Sequence, residues 1–287
     1  MAIMRNYIAC NSKMFHIGMQ LQMLEINRYW YQPSLRFITF ILLPFSWLFR
    51  GCIFIRRQLY RLGFLKTHRF NVPVIIVGNI TVGGTGKTPF VIWLAHYLIA
   101  QGYRPGIVSR GVGGKRQIKP YRVKQEDAAT EVGDEAVLLA QRANCPLVIG
   151  IDRVAAVREL LQQAPCDIVI SDDGLQHYRL GRDIEIVIID GSRRFGNNCL
   201  LPAGPLREPV SRLQSVDFVV VNGEDMILEP VELLPVIARS EATRQSPDKK
   251  AHAVAGIGHP DRFFLTLKQA GFDIIPHAFP DHHPYQP

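Results

Sequence analysis

Gly83-Gly84-Thr85-Gly86-Lys87-Thr88 sets a lysine and a hydroxyl directly behind three closely spaced glycines. Glycines let successive backbone N–H groups converge on one point, and a lysine ammonium there would neutralise the β- and γ-phosphates of a nucleotide. The Thr88 hydroxyl is the group that would sit on Mg2+. The wider loop begins Thr81-Val82 and departs from the strict spacing GxxxxGK[ST], which wants glycine where Thr81 stands. A second set of oxygen donors, Asp172-Asp173, closes an apolar run and could hold Mg2+ directly or through water. Such groups need a scaffold. The β-branched run 74–77 predicts a buried parallel strand before the glycines, and the apolar run 89–100 predicts a helix after them. Strand, loop and helix in that order put the glycine turn at the positive end of a helix.

The alternation continues along the chain. Segments 107–109, 146–149, 166–172, 184–190 and 218–221 read as strands, and 131–143 and 153–163 as helices. Repeated β–α units with wholly apolar strands predict an α/β fold, a parallel sheet of P-loop NTPase type covered by helices on both faces. Beyond Asn222 the pattern loosens, through the polar stretch 239–250, before a strand at 253–258 and a helix at 260–270. The expected organisation is an unpatterned extension 1–24, a basic and aromatic segment 25–70, a nucleotide-binding core 71–223, and a smaller C-terminal lobe 224–287.

The net charge of +8 is not spread evenly. Residues 1–70 carry ten Lys/Arg against the single acid Glu25, while the rest of the chain has 23 basic and 24 acidic residues. A nucleic-acid partner would need basic residues on the globular body, so none is expected. Within the basic segment, 37–49 is thirteen residues without charge, bracketed by Arg36 and Arg50. Trp30, Tyr31 and Trp47 suit a lipid–water boundary, and Arg50, Arg56, Arg57, Arg61, Lys66 and Arg69 would meet anionic headgroups. An interfacial or shallow membrane anchor is the expectation. The alternatives are a true span, for which the uncharged run is short, and a core helix of the globular body. Pro44 predicts a kink. Five widely spaced cysteines without a CxxC pair point to a reducing cytoplasm.

Three further constellations are ambiguous from residue type alone. Gly133-Asp134-Glu135 fits a helix start with first-turn acids as well as a catalytic carboxylate. Asp281-His282-His283, between Pro280 and Pro284, reads as a metal site, a base–orienter dyad or a surface turn, with zinc disfavoured for want of a third soft ligand. The stiff loop 201–209 carries Arg207 and Glu208, suited either to clamping a phosphate and reaching a metal or to a surface ion pair.

Taken together, residues 77–89, Ser109-Arg110-Gly111, 133–135, the block Ser171-Asp172-Asp173-Gly174-Leu175-Gln176-His177-Tyr178-Arg179-Leu180, 201–209, 255–258 and 279–283 resemble the tetraacyldisaccharide 4′-kinases. The resemblance runs in order from about residue 25 to the C-terminus, and it implies ATP and Mg2+ as cofactors. The implied substrate is tetraacyldisaccharide 1-phosphate, phosphorylated at its 4′-hydroxyl on the cytoplasmic face of the bacterial inner membrane. It also implies roles: Lys87 and Thr88, with the loop Thr81, Val82, Gly83, Gly84, Thr85 and Gly86, on ATP phosphates and Mg2+; Asp172 and Asp173, assisted by Gln176 and Glu208, at the metal. Asp134 matches the catalytic base, His282 its partner, and Arg207 a phosphate-facing arginine. Ser or Thr at position 81 is then a family feature. The implied partners are the lipid substrate and an anionic membrane surface, with no obligate protein partner.

Three positions depart from the family's pattern: Val112 replaces an aromatic residue, 239–250 is unusually polar, and the family continues beyond the position of Pro287. The other classes kept open are a membrane-docked regulatory P-loop ATPase, which would have no use for Asp134 and His282, and an inactive truncated remnant.

Overall fold

The structure, a computed structural model, describes residues 30–31, 37–228, 250–255, 260–269 and 271–279. The chain divides into a compact unit Trp30–Leu228 and a second unit made of the remainder. At the centre of the first is β1 (Val74–Gly78), buried along its whole length. A strand without a polar face needs cover on both sides, and it has it. β1 lies parallel to β5 (Ile168–Asp172) on one side and β6 (Ile184–Asp190) on the other. With β2 (Pro105–Ser109), β3 (Tyr121–Arg122), β4 (Leu147–Ile149) and β7 (Phe218–Asn222) they form a seven-stranded sheet of order β3-β4-β2-β5-β1-β6-β7. The two-residue β3 at the edge is antiparallel to β4 and was not foreseen from the sequence.

Side-chain alternation splits the core into two layers. Ile75 and Val77 face α2 (Lys87–Ala100) and α4 (Asp134–Arg142), packing with Phe90, Val91, Leu94, Ala136 and Leu139. Val74 and Ile76 face the other way, onto Val154, Val157 and Leu160 of α5 (Arg153–Gln163). The helix expected over 131–143 is instead two pieces, α3 (Ala129–Val132) and α4, broken at Gly133 with φ 93 and ψ 149. That backbone conformation is open essentially to glycine alone, so the break is written into the residue type.

Upstream of the sheet, α1 (Phe37–Arg61) runs for 25 residues through Pro44 and Arg50. Pro44 lies in its second turn and removes one hydrogen bond without ending the helix. The polarity of α1 is inverted. Thr39 and Ser46 are its buried residues, while Phe37, Phe40, Ile41, Phe45, Trp47, Leu48, Phe54 and Ile55 are exposed. Ser46 Oγ donates to Leu200 O at 2.8 Å and accepts from Ala203 N at 3.0 Å, anchoring the helix through its polar residue. The helix is long and apolar enough to cross a membrane, and 11% of its most apolar stretch is buried. A core helix would bury the opposite set of residues, so that alternative is overturned.

In the second unit, β8 (Lys250–Ala255) and β9 (Asp273–Ala278) pair in parallel, joined through α6 (Pro260–Gln269). Ala253, Ala255, Phe264 and Ile274 form its small core. The extension 1–24, most of the polar stretch 239–250 and residues 256–258 lie outside the described residues.

Candidate active site

The register of the central strands assembles the site. Val77 of β1 stands opposite Asp172 of β5, so the glycine loop leaving β1 starts beside the acidic pair ending β5. Gly78 makes the junction possible, since a Cβ there would lie 2.6 Å from Leu175 Cβ. The loop is then held from three sides. Thr81 bridges antiparallel to Leu206, Val82 N donates to Pro205 O at 2.8 Å, and Arg207 N donates to Ile80 O at 2.7 Å. The proline-rich segment 201–209 is thus the second wall of the loop, and Thr81 works as a bridging residue in place of a turn glycine. Asn222 Nδ2 donates to Thr85 O at 2.9 Å, Asn79 Nδ2 to Gly83 O at 3.4 Å, and the Arg193 guanidinium to Gly84 O. Gly83 and Gly86 have φ 100 and 94, and a Cβ at Gly86 would meet Asn222 Nδ2 at 2.5 Å. Gly84 faces open space, as a phosphate cradle requires.

Lys87 opens α2 with its Nζ 3.6 Å from Asp173 Oδ1. Arg207 Nη1 holds both Asp173 oxygens, at 3.2 and 3.1 Å. Burial alone would raise the Asp173 carboxyl, but the charges of Lys87 and Arg207 outweigh it and hold the group at about 2. Its neighbour behaves oppositely. Asp172 is pushed up to about 7, first by burial and then by the negative charge of Glu135, against the opposing pull of Lys87. Asp172 Oδ2 accepts from Ser109 Oγ at 3.2 Å, while its Oδ1 is buried with no hydrogen-bond partner. An orphaned, buried carboxylate oxygen of Asp172 beside the second carboxylate of Asp173 is a donor chemistry that fits Mg2+, with the Thr88 hydroxyl one residue behind Lys87 at the start of α2. Among the described residues no group of three or more His, Cys, Asp or Glu side chains comes together as a metal cluster.

Gln176 and Glu208 meet, as donor and acceptor. Gln176 Nε2 donates to Glu208 Oε1 at 3.0 Å and to Asn79 O at 3.1 Å, so Gln176 touches the root of the loop. The other Glu208 oxygen accepts from Tyr178 Oη at 2.6 Å and pairs with Arg212 Nε at 3.3 Å. Burial and Glu208 push the Tyr178 hydroxyl up to about 12, which keeps it a donor. Asp134 is the first residue of α4, exposed, behind the Gly133 break. His282 lies outside the described residues.

Several groups escaped sequence reading. Arg153 is buried at the start of α5, with Nη1 donating to Gly150 O and Nη2 to Asp172 O at 3.3 Å. Burial lowers it to about 10, so it stays a cation behind the acidic pair. The available signal was its place: a cation in the first turn opposes the helix dipole and needs another reason to be there. Asn222 and Arg193 had no spacing signal, because they meet the loop from β7 and from the turn after β6.

A glycine loop between strand and helix, a lysine at its end and an acidic pair on the neighbouring strand define a P-loop phosphotransferase frame. The comparisons carry this to a family. A profile of Tetraacyldisaccharide-1-P 4'-kinase matches residues 38–287. The chain is 50% identical over 272 residues to a tetraacyldisaccharide 4'-kinase of Alkalilimnicola ehrlichii, covering 92% of this chain and 82% of the relative. It is 55% identical over 255 residues to that of Methylobacillus flagellatus, covering 85% and 76%. The crystal structure of LpxK from Aquifex aeolicus in complex with ATP is similar with a TM-score of 0.69 and 30% identity, over 87% of this chain and 85% of that one. The chain belongs to the tetraacyldisaccharide-1-phosphate 4'-kinase family.

Proposed function

We propose that this protein transfers the γ-phosphoryl group of ATP to the 4′-hydroxyl of tetraacyldisaccharide 1-phosphate at the cytoplasmic face of the inner membrane. The observation that carries it is a cavity of about 220 Å3 shared by the two halves of the task. Phe49, Ile53 and Arg56 of the outward-greasy α1 wall one side, and Gln176, Tyr178, Arg207 and Glu208 of the phosphate site the other. A multi-acyl substrate leaves the bilayer only at about 0.8 kcal/mol per exposed CH2, so its kinase must work at the interface.

In this reading the loop N–H groups from Thr81 to Gly86, with Lys87, hold the β- and γ-phosphates, and Arg207 turns from Asp173 toward the transferring group. Thr88, Asp172 and Asp173 hold Mg2+, with Gln176 beside them, and Glu208 acts by fixing Gln176. Bound Mg2+ supplies charge neutralisation at the phosphoryl oxygens. Asp134, with His282, takes up the hydroxyl proton as transfer proceeds. The core 71–223 does the chemistry and segment 25–70 the docking on anionic lipid.

The test is phosphate transfer from labelled ATP to the disaccharide lipid in detergent micelles with Mg2+. Lipid labelling is expected, with Asp134→Ala lowering it about 10²–10⁴-fold while ATP binding persists. ATP hydrolysis without lipid labelling, indifferent to that substitution, would establish a regulatory ATPase in its place, and absence of ATP binding a remnant.

A further inference from the structure

Residues 110–124 hold six Lys/Arg and no Asp or Glu, and the chemistry above uses none of them. Their loop also displays apolar side chains where a soluble loop would be polar. Ile118 is 79% exposed, flanked by Lys115, Arg116 and Lys119, and Val112 is 40% exposed. A second apolar tip joins it: Ile151, 46% exposed, donates its backbone N–H to Gln117 O at 2.9 Å. Glu131 answers part of the charge, pairing with Arg116 at 3.1 Å and Lys115 at 3.8 Å. The balance of the loop remains basic.

Position in the fold gives the patch its meaning. Ile151 follows β4 and Arg179 follows β5, so both leave the carboxyl ends of parallel strands, where the glycine loop also lies. A short run of contacts connects the patch to the residues just after α1. Gln117 meets Ile151, the adjoining Asp152 accepts from Arg179 Nη1 at 2.7 Å, and Arg179 O accepts from His68 N at 2.8 Å.

We propose that the loop 111–120, together with Ile151, is a second membrane contact, inserting Ile118 and Ile151 at an anionic lipid surface whose headgroups the flanking Lys115, Arg116 and Lys119 engage. This rests on the reading of α1 as the primary anchor. Apolar tips ringed by cations are the composition that partitions into the headgroup region of anionic bilayers. The contact has a consequence inside the site. The base of the same loop lies backbone to backbone on the α3–α4 break, with the ideal Cβ of Gly114 2.4 Å from Val132 C and that of Gly133 2.2 Å from Val112 O. Lipid contact at Ile118 therefore steadies the turn that sets Asp134.

The experiment is sedimentation of the full-length protein with phosphatidylcholine vesicles containing or lacking phosphatidylglycerol, without ATP or substrate. Ile118→Asp is expected to weaken binding to anionic vesicles about five- to tenfold, and Lys119→Glu about fivefold, both with unchanged ATP binding. Ile118→Trp is expected to be quenched by brominated lipid beyond the wild-type protein. Wild-type affinity in Ile118→Asp and Lys119→Glu, with no added quenching in Ile118→Trp, overturns the proposal. Trp47→Asp separates the two readings. If it abolishes binding while the loop variants do not, α1 is the anchor and the loop is not a contact. If the wild-type protein ignores anionic vesicles altogether, the membrane reading itself fails with it, whatever the kinase assay gives.

Discussion

Gly133→Ala tests whether the break between α3 and α4 is what positions Asp134. Two costs can be worked from the structure. The φ of 93 and ψ of 149 at Gly133 lie where an L side chain costs about 1–3 kcal/mol. The new Cβ would also stand 2.2 Å from Val112 O and 3.1 Å from Gly111 C, both backbone atoms with no rotamer to escape into. A carbon–oxygen contact normally needs roughly 3.3 Å, so one backbone must move by about 1 Å. With about 3 kcal/mol in total, a unit of this size should lose roughly 6–12 °C in Tm. A displacement of about 1 Å next to the proposed base should lower kcat on the order of a hundredfold. Gly113→Ala is the matched control: its φ is 84, but a Cβ there meets nothing within 4 Å. It should cost only about 1–2 kcal/mol of left-handed strain and spare kcat. Differential scanning fluorimetry and the micelle kinase assay read the two effects. If Gly133→Ala melts and turns over like Gly113→Ala, the contact between loop and break does not hold Asp134 and the reasoning is wrong.

Glu208→Gln keeps the shape of the buried knot but removes its charge, leaving Arg212 with Glu185 as its remaining carboxylate partner. Breaking a buried pair costs about 3 kcal/mol or more, so thermal unfolding should fall by roughly 6–12 °C, and an unchanged Tm would show the pair to be idle. Alkylation by iodoacetamide at pH 8 should spare Cys145, whose thiol is pushed up to about 12 by burial and the neighbouring Cys166, and should modify Cys52, exposed on α1. Anionic vesicles should then shield Cys52, and peptide mass spectrometry of the labelled protein checks both outcomes.

What could be read from the sequence follows the range of the interactions involved. β1, the glycine loop and α2 are contiguous, and each carries a local signal: β-branched residues, glycines with forced φ, an apolar helix. They stand where the sequence put them, with the helix starting two residues early, at Lys87. Asp172 and Asp173 were legible because a strand of uninterrupted apolar residues has few other reasons to end in two acids. The helix start at Gly133-Asp134-Glu135 was legible from its first-turn acids. The separate short helix ahead of it was not, because one glycine in a helical pattern is ordinarily tolerated, and the approach of Val112 O comes from another segment. β3 escaped for a related reason: two residues are too few to show a period.

The division of labour between the two acids was invisible for a deeper cause. Asp172 and Asp173 are adjacent and identical in the sequence, yet one is held at about 2 and the other pushed to about 7. The difference arises in a backbone turn. Asp173 has φ 49, a left-handed conformation that aspartate tolerates, and its carboxylate meets Lys87 and Arg207. Asp172, still in the extended strand, stays within the protein beside Ser109 and under the influence of Glu135. One residue of chain reversal therefore makes two unlike carboxyl groups from a repeated letter: one held ionised in a cationic clamp, and a buried one that keeps an oxygen without a hydrogen-bond partner. Gly174 makes the turn that close, since a Cβ there would lie 2.5 Å from Ser171 Oγ. The glycine after the acids is as much a part of the site as the acids themselves.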